Sequence, residues 1–302
     1  MARGVCFLSQ TGVGIIGNSL LIPFYLFSLF LGSKLKPTEL IIIHLSLVHI
    51  VMLLTRGIII AGDMIRLHLV QSDVECKWFS YLCRITRGLS ICTTCLLSMA
   101  QAITLSPTNS YLFNLKVQVP NITLPVLGIM WIPNMLISTN LLFQMAAYQN
   151  STNTDNNCYL VPINTLLQGL ILTSMALRDI LSLGLMSCSS GYMVLLLHRH
   201  SHEVQHLHSP HQAPEASPER RATQTILLLV SGFVVFYCGD FVLSLLLGTS
   251  MKNNAALLNA SMFVVSGYAT ASPFVLLTCD TKVIRFLGDF LGIMPSNHLR
   301  PC

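Results

Sequence analysis

Long apolar stretches alternate along the chain with short polar ones, on a length scale set by a bilayer. A helix needs about 20 predominantly apolar residues to cross the hydrocarbon. Seven stretches meet that length, at about 5–31, 40–62, 76–105, 122–146, 166–197, 222–247 and 256–278. Pro23, Pro125, Pro133 and Pro273 interrupt them. A membrane bundle tolerates this, because neighbouring helices re-satisfy the freed carbonyls. The first stretch exceeds the apolar core of a signal peptide (about 7–15 residues) and no small-x-small cleavage site follows, so it is expected to be retained. The pattern predicts an all-α membrane protein, one seven-transmembrane-helix domain over residues 1–302. There is no internal repeat, and no pair of matching broken helices of the kind many transporters carry.

Composition agrees. The chain is 53% hydrophobic and 10% charged, with a mean hydropathy of +0.66. Soluble domains carry about 25% charged residues, and this chain could not cover a water-facing surface. The net charge of +5 comes from scattered residues. No basic groove interleaved with aromatics exists, so no nucleic acid is expected as a partner. Basic loop residues set the orientation. With the N-terminus outside, Lys34, Lys36, Lys116, Arg199, Arg220, Arg221, Lys282, Arg285 and Arg300 lie inside, against Arg3, Arg66, Lys77 and Lys252 outside. The C-terminus is then cytoplasmic. The sequon at Asn150 falls in a polar outer loop, "QNSTNTDNNC", and is a glycosylation candidate. The sequons at Asn121, on the inner side, and Asn259, near a helix end, do not discriminate.

Charges inside the hydrocarbon are costly and mark function by default. Six remain after the loops are counted: Arg56, Arg84, Arg87, Arg178, Asp179 and Asp240. All fall in the outer half of their predicted helices. Three readings stay open: a pocket open to the outside, ion pairs that only tie helices together (Arg87 with Asp240 or Asp179), and outward snorkelling of Arg56 and Arg84.

Ten cysteines add two questions. Cys92 and Cys95 form a Cys-x-x-Cys inside the third stretch, "ICTTCLLSMAQAITLSP". A zinc site needs about four ligands and a redox pair needs a thiolate, so helix packing through Thr93, Thr94, Cys95 and Ser98 is the expected role. Cys76 and Cys158 share the outer side, as a bridge or as two free thiols. The stretch "LHRHSHEVQHLHSPHQAPEASPERRATQT" holds six histidines. His198, His202 and His206 recur every four residues, which predicts a cytoplasmic extension of the fifth helix rather than a metal site. Neither a phosphate loop nor a hydrolase motif is present, and no cofactor or metal is expected.

Several stretches carry a resemblance: "CKWFSYLCRITRGLSICTTCLLSMAQAITLSP" (76–107), "GLMSCSSGYMVLLLHRHSHEVQHLHS" (184–209), "SPERRATQTILLLVS" (217–231), "SPFVLLTCD" (272–280) and "KPTELIIIHLSL" (36–47). In this order the chain resembles the vomeronasal type 1 receptors, seven-helix G-protein-coupled pheromone receptors. The resemblance implies a Cys76–Cys158 disulfide, glycosylation at Asn150, and a place in the plasma membrane of vomeronasal sensory neurons. It also implies a small pheromone-like ligand, and a heterotrimeric G protein of the inhibitory type at the cytoplasmic face. Cys83 stands where the family often has His. "AQAITLSP" replaces the acidic-Arg-Tyr triplet of rhodopsin-like receptors, and Ser272-Pro273-Phe274 replaces their Asn-Pro-x-x-Tyr. The pocket expected is lined by Arg84, Arg87, Arg178, Asp179, Asp240 and Arg56. The readout is expected at Ser106–Asn121, His198–Arg221 and Lys282–Arg285. A bitter-taste-type receptor is the nearer rival, and a small transporter or channel the more distant one.

Overall fold

The computed structural model describes residues 2–30, 36–65, 73–107, 112–147, 158–160, 164–207, 218–249 and 255–279. Its elements are α1 (Ala2–Phe30), α2 (Pro37–Ile65), α3 (Asp73–Leu105), α4 (Phe113–Ser138), α5 (Leu141–Gln144), β1 (Met145–Ala147), β2 (Cys158–Leu160), α6 (Thr165–Leu207), α7 (Pro218–Thr249) and α8 (Ala255–Cys279). The seven long helices follow the seven apolar stretches in order.

The ends differ from expectation where polar residues flank the apolar run. Helix α4 starts at Phe113 rather than near 122, so Lys116 and Asn121 lie on it. Helix α6 runs to Leu207 instead of about 197, which takes in His198, His202 and His206 as their spacing predicts. Hydropathy reports the hydrocarbon-deep part of a helix, whereas the backbone continues as far as headgroup or water can solvate its side chains. The antiparallel ribbon was not foreseen. In it Met145 faces Leu160, Ala146 faces Tyr159 and Ala147 faces Cys158, and β1 packs on α3.

Burial is inverted relative to a soluble domain. Asn18, His49, Ser90, Thr93, Thr94, Ser98, Asn134 and Ser272 are buried, while Leu124, Leu136, Ile180 and Leu195 are each more than 60% exposed. An apolar exterior over a polar seam is what hydrocarbon solvent demands. Among the described residues, Gly4–Leu26, Pro37–Gly62, Val74–Leu105, Phe113–Gln144 and Thr165–Arg199 are long and apolar enough to cross a membrane, and α7 holds a shorter apolar stretch, Gln224–Gly239. The chain is a multi-pass membrane protein. Helix α3 is the central shaft: 67% of its apolar window is buried, against 17% for α6. Its Ile91 and Leu97 join Leu21, Tyr25, Ile41, Leu45, Met186, Met193, Leu229 and Phe233 in one core.

The α1–α8 seam has an identifiable cause. Pro273 has no N–H, so the carbonyl four residues back, Ala269, loses its helical partner. Asn18 Nδ2 donates to that carbonyl at 2.9 Å, and to its own Gly14 carbonyl at 2.8 Å. Glycines let the helices close: a Cβ on Gly17 would press on the Pro273 ring at 3.0 Å.

Replacing Asn18 by Leu orphans the Ala269 carbonyl and should cost about 1–3 kcal/mol of stability, read as a lowered melting temperature of the purified protein. In a Pro273→Ala background the restored N–H serves that carbonyl, and the loss should shrink. Equal losses in both backgrounds would contradict this account of the seam.

Candidate ligand-binding site

Five of the six predicted charged residues, Arg56, Arg84, Arg87, Arg178 and Asp179, have described side chains, which come together at the Cys76 end of the bundle, and most reach another segment. Arg178 is the most constrained. Its Nε and Nη2 lie 2.9 and 2.8 Å from Asp179 Oδ1, and its Nη1 donates to Asn134 Oδ1 of α4 at 2.8 Å. The Arg178 side chain is only 10% exposed and that of Asp179 28%. Asn134 is fixed in turn by donating Nδ2 to the Met130 carbonyl at 2.8 Å. This group rests on Gly88 of α3, where an added Cβ would overlap both Asn134 Oδ1 and Arg178 Nη1. Gly88 is therefore the seat that lets a guanidinium lie against the central helix.

Arg84 donates Nη1 to Asn140 Oδ1, in the turn after α4, at 3.0 Å, and lies within electrostatic reach of Arg87 and Arg178. Arg56 of α2 donates Nη1 to Ser266 Oγ of α8 at 3.1 Å. The Arg87 guanidinium sits 5.7 Å from the centre of the Tyr237 ring on α7, whose hydroxyl donates to the Arg87 carbonyl at 3.4 Å. Asp240 lies on α7, with its side chain outside the described residues.

Two expectations change. Asp179 pairs with Arg178, its neighbour in the chain, rather than with Arg87. Arg56 and Arg84 do not simply snorkel; each is turned onto a neutral oxygen of another segment. Neutral acceptors disperse a guanidinium's charge without cancelling it. The described side chains of the charged set are four guanidiniums and one carboxylate, with an aromatic face beside Arg87. Such a site favours an entering molecule that brings acceptors and an apolar body.

The sequence reasoning missed the neutral partners: Asn134, Asn140, Tyr237, Ser266 and, deeper, His49. Fully buried, His49 bridges three helices, with Nε2 2.9 Å from Ser90 Oγ of α3 and Nδ1 3.1 Å from Ser272 Oγ of α8. An aromatic run connects the two levels. Tyr237 stacks on Phe233 at 4.0 Å, Phe233 meets Tyr268 edge-on at 4.9 Å, and Tyr268 meets His49 edge-on at 5.4 Å. The Tyr268 hydroxyl also lies 3.2 Å from Thr94 Oγ1. The only available signal was that polar residues inside apolar stretches need partners.

The cysteines divide. Cys76 is buried and disulfide-bonded. The side chain of Cys158 lies outside the described residues, as does Asn150. Cys92 and Cys95 are free thiols: Asn134 Nδ2 approaches Cys92 Sγ at 3.9 Å, and Cys95 faces Met99 at 4.0 Å. At the opposite end of the bundle Ser106 Oγ lies 3.1 Å from the Tyr192 hydroxyl of α6, and Lys116 Nζ donates to the Ser106 carbonyl at 3.2 Å. Residues 108–111, 208–217 and 282–285 of the expected readout face lie outside the described residues.

Comparison with known proteins gives this helical membrane bundle its class, that of a receptor. The model of the vomeronasal organ pheromone receptor family matches residues 1–289. Vomeronasal type-1 receptor 100 of Rattus norvegicus is 40% identical over 286 residues, covering 93% of this chain and 87% of that receptor. Vomeronasal type-1 receptor 90 of the same species is 39% identical over 293 residues, covering 95% and 93%. Vomeronasal type-1 receptor 45 of Mus musculus is 37% identical over 286 residues, covering 93% and 89%. The chain belongs to the vomeronasal organ pheromone receptor family.

Gly88→Ala should cost about 1–3 kcal/mol through overpacking, measured by thermal melting. In an Arg178→Ala background one of the two overlapping groups is gone, so the cost of the double variant should fall short of the sum of the two single costs. Strict additivity would mean that Gly88 is not the seat of Arg178.

Proposed function

We propose that the chain is a seven-span G-protein-coupled chemosensory receptor of the plasma membrane, with its N-terminus and the Cys76 end outside. The observation that carries the reading is the gathering of Arg84, Arg87 and Arg178 around α3, next to the Tyr237 ring, with Arg84 held by the neutral Asn140. Membership of the family supplies the class of signal, a small pheromone-like molecule. The proposed ligand set is Arg84, Arg87, Arg178, Asp179, Arg56 and Asp240.

Cys76 is proposed to bridge to Cys158, which opens β2 beside the strand that packs on α3. That bond would hold the loop after β1 over the pocket mouth. Asn150, between β1 and β2, is the proposed glycosylation site on the same side.

Binding shifts a population only through differential affinity for two arrangements. Helix α3 is the part both ends share. It carries Arg84, Arg87 and Gly88 at the ligand end, and Ser106 against Tyr192 and Lys116 follows it at the other. A ligand that draws Arg87 from Tyr237 loosens α7 against that shaft, and one that draws Arg178 from Asn134 loosens α6 against α4. The far face, with Ser106–Asn121, His198–Arg221 and Lys282–Arg285, is the proposed seat of an inhibitory-type G protein.

The test is a ligand screen in cells that express the receptor with a matched G protein, repeated with Arg87→Ala. Loss of one charge-assisted hydrogen bond, about 1.5–3 kcal/mol, should weaken ligand potency at least about tenfold at normal surface level. An unaltered response would remove Arg87 from the pocket. Cys158→Ser should lower surface delivery or potency as much as Cys76→Ser does, and the double variant should be no worse than either. A harmless Cys158→Ser would exclude that pairing.

A further inference from the structure

Gln144 ends α5 with only 3% of its surface exposed. Its Oε1 accepts from Asn140 Nδ2, and Asn140 Oδ1 accepts from Arg84 Nη1 at 3.0 Å. Gln144 Nε2, a donor of two protons, is buried with no hydrogen-bond partner among the described residues. The hydroxyl of Ser138, fully buried at the end of α4, is in the same condition. Leaving a buried donor unmade costs about 1–3 kcal/mol, and each such group calls for a reason. Here two occur close together in the chain, and Gln144 is linked through Asn140 to a guanidinium whose five N–H donors meet one acceptor among the described residues. Arg87 and Arg178 add positive charge nearby. The shortage at this spot is of acceptors.

We infer that the Ser138–Gln144 turn, together with Arg84, is the subsite that reads the ligand's polar head, and that this head is an oxygen acceptor, a carbonyl or a carboxylate. The inference rests on the receptor reading above and adds to it the chemical class of the signal. A carbonyl or carboxylate oxygen satisfies Gln144 Nε2 and the remaining N–H groups of Arg84 together. An ammonium head meets the like charge of Arg84 and leaves Gln144 Nε2 without an acceptor, so it is rejected. A hydrocarbon leaves both donors orphaned and gains nothing there. Discrimination by unpaired buried groups is steep, because the wrong head leaves their desolvation uncompensated.

The experiment uses the full-length receptor in lipid nanodiscs and four probes with one apolar body: cyclohexylacetate, cyclohexyl methyl ketone, cyclohexylmethylamine and methylcyclohexane. Binding is read as a dose-dependent rise in melting temperature. The carboxylate, the ketone or both should stabilise the protein, and the amine and hydrocarbon should not. Gln144→Leu should weaken the acceptor-headed probes at least about tenfold, the effect of one lost hydrogen bond to a charged or buried partner. Gln144→Glu, which puts a carboxylate oxygen in place of the Nε2 donor and against the ligand's own carboxylate, should abolish carboxylate binding. Where Gln144→Leu does not fold, Ser138→Ala serves, with weakening of about threefold or more. Stabilisation by neither acceptor-headed probe overturns the inference, as does equal affinity in wild type and variant. Gln144-dependent binding without G-protein activation by any ligand would instead sink the receptor reading and leave the subsite standing.

Discussion

A guanidinium group held away from bulk water must find other partners, and the Cys76 end of this bundle is organised by that need. Arg178 shows it most plainly. Its charge is shared between Asp179, its own neighbour, and Asn134 of α4, and the whole group lies on the bare backbone of Gly88. Breaking a partly buried charged contact costs more than forming it gains, because the survivor is stranded. The arrangement therefore fixes α4 and α6 against α3 although little of α6 is otherwise buried. Arg84 and Arg56 follow the same rule with neutral partners, which solvate the charge but leave it uncancelled. That residual field is what an entering molecule can use.

The same constraint accounts for the polar seam below. In hydrocarbon no water rescues an orphaned group, so His49 joins Ser90 and Ser272, and Asn18 takes the carbonyl that Pro273 frees. These contacts tie α1, α2, α3 and α8 into one unit. The aromatic run from Tyr237 through Phe233 and Tyr268 to His49 connects that unit to Arg87. Spatial continuity alone does not establish coupling. The physical content of the proposed mechanism is narrower: α6 is held to α4, and α7 to α3, by an arginine contact that an acceptor-bearing ligand competes for.

Much of this was legible from residues alone. Seven apolar runs marked seven long helices, and the six charges within them were legible because a charge in an apolar stretch stands out against every neighbour. Five of the six, all but Asp240 whose side chain lies outside the described residues, gather at one end of the bundle. Neutral partners were not legible. Asn134, Asn140, Gln144 and Tyr237 look unexceptional in an apolar stretch, and which oxygen meets which guanidinium depends on helix rotation, which hydropathy does not report. Helix ends were misjudged for a related reason. Lys116 and Asn121 lie on α4 because the backbone outlasts the apolar run. The Cys-x-x-Cys at Cys92 and Cys95 serves packing, as its surroundings imply, since Thr93 and Thr94 between the two are wholly buried.

The account stands or falls on where a ligand lies. Cryo-electron microscopy of the full-length receptor with an agonist found in the cell screen tests it most directly. Ligand density should be bounded by Arg84, Arg87, Tyr237 and Arg178, with at least one of these guanidiniums withdrawn from its present partner. Density elsewhere, with Arg178 still on Asn134 and Arg84 still on Asn140, would contradict the account and reduce the arginine layer to a structural brace.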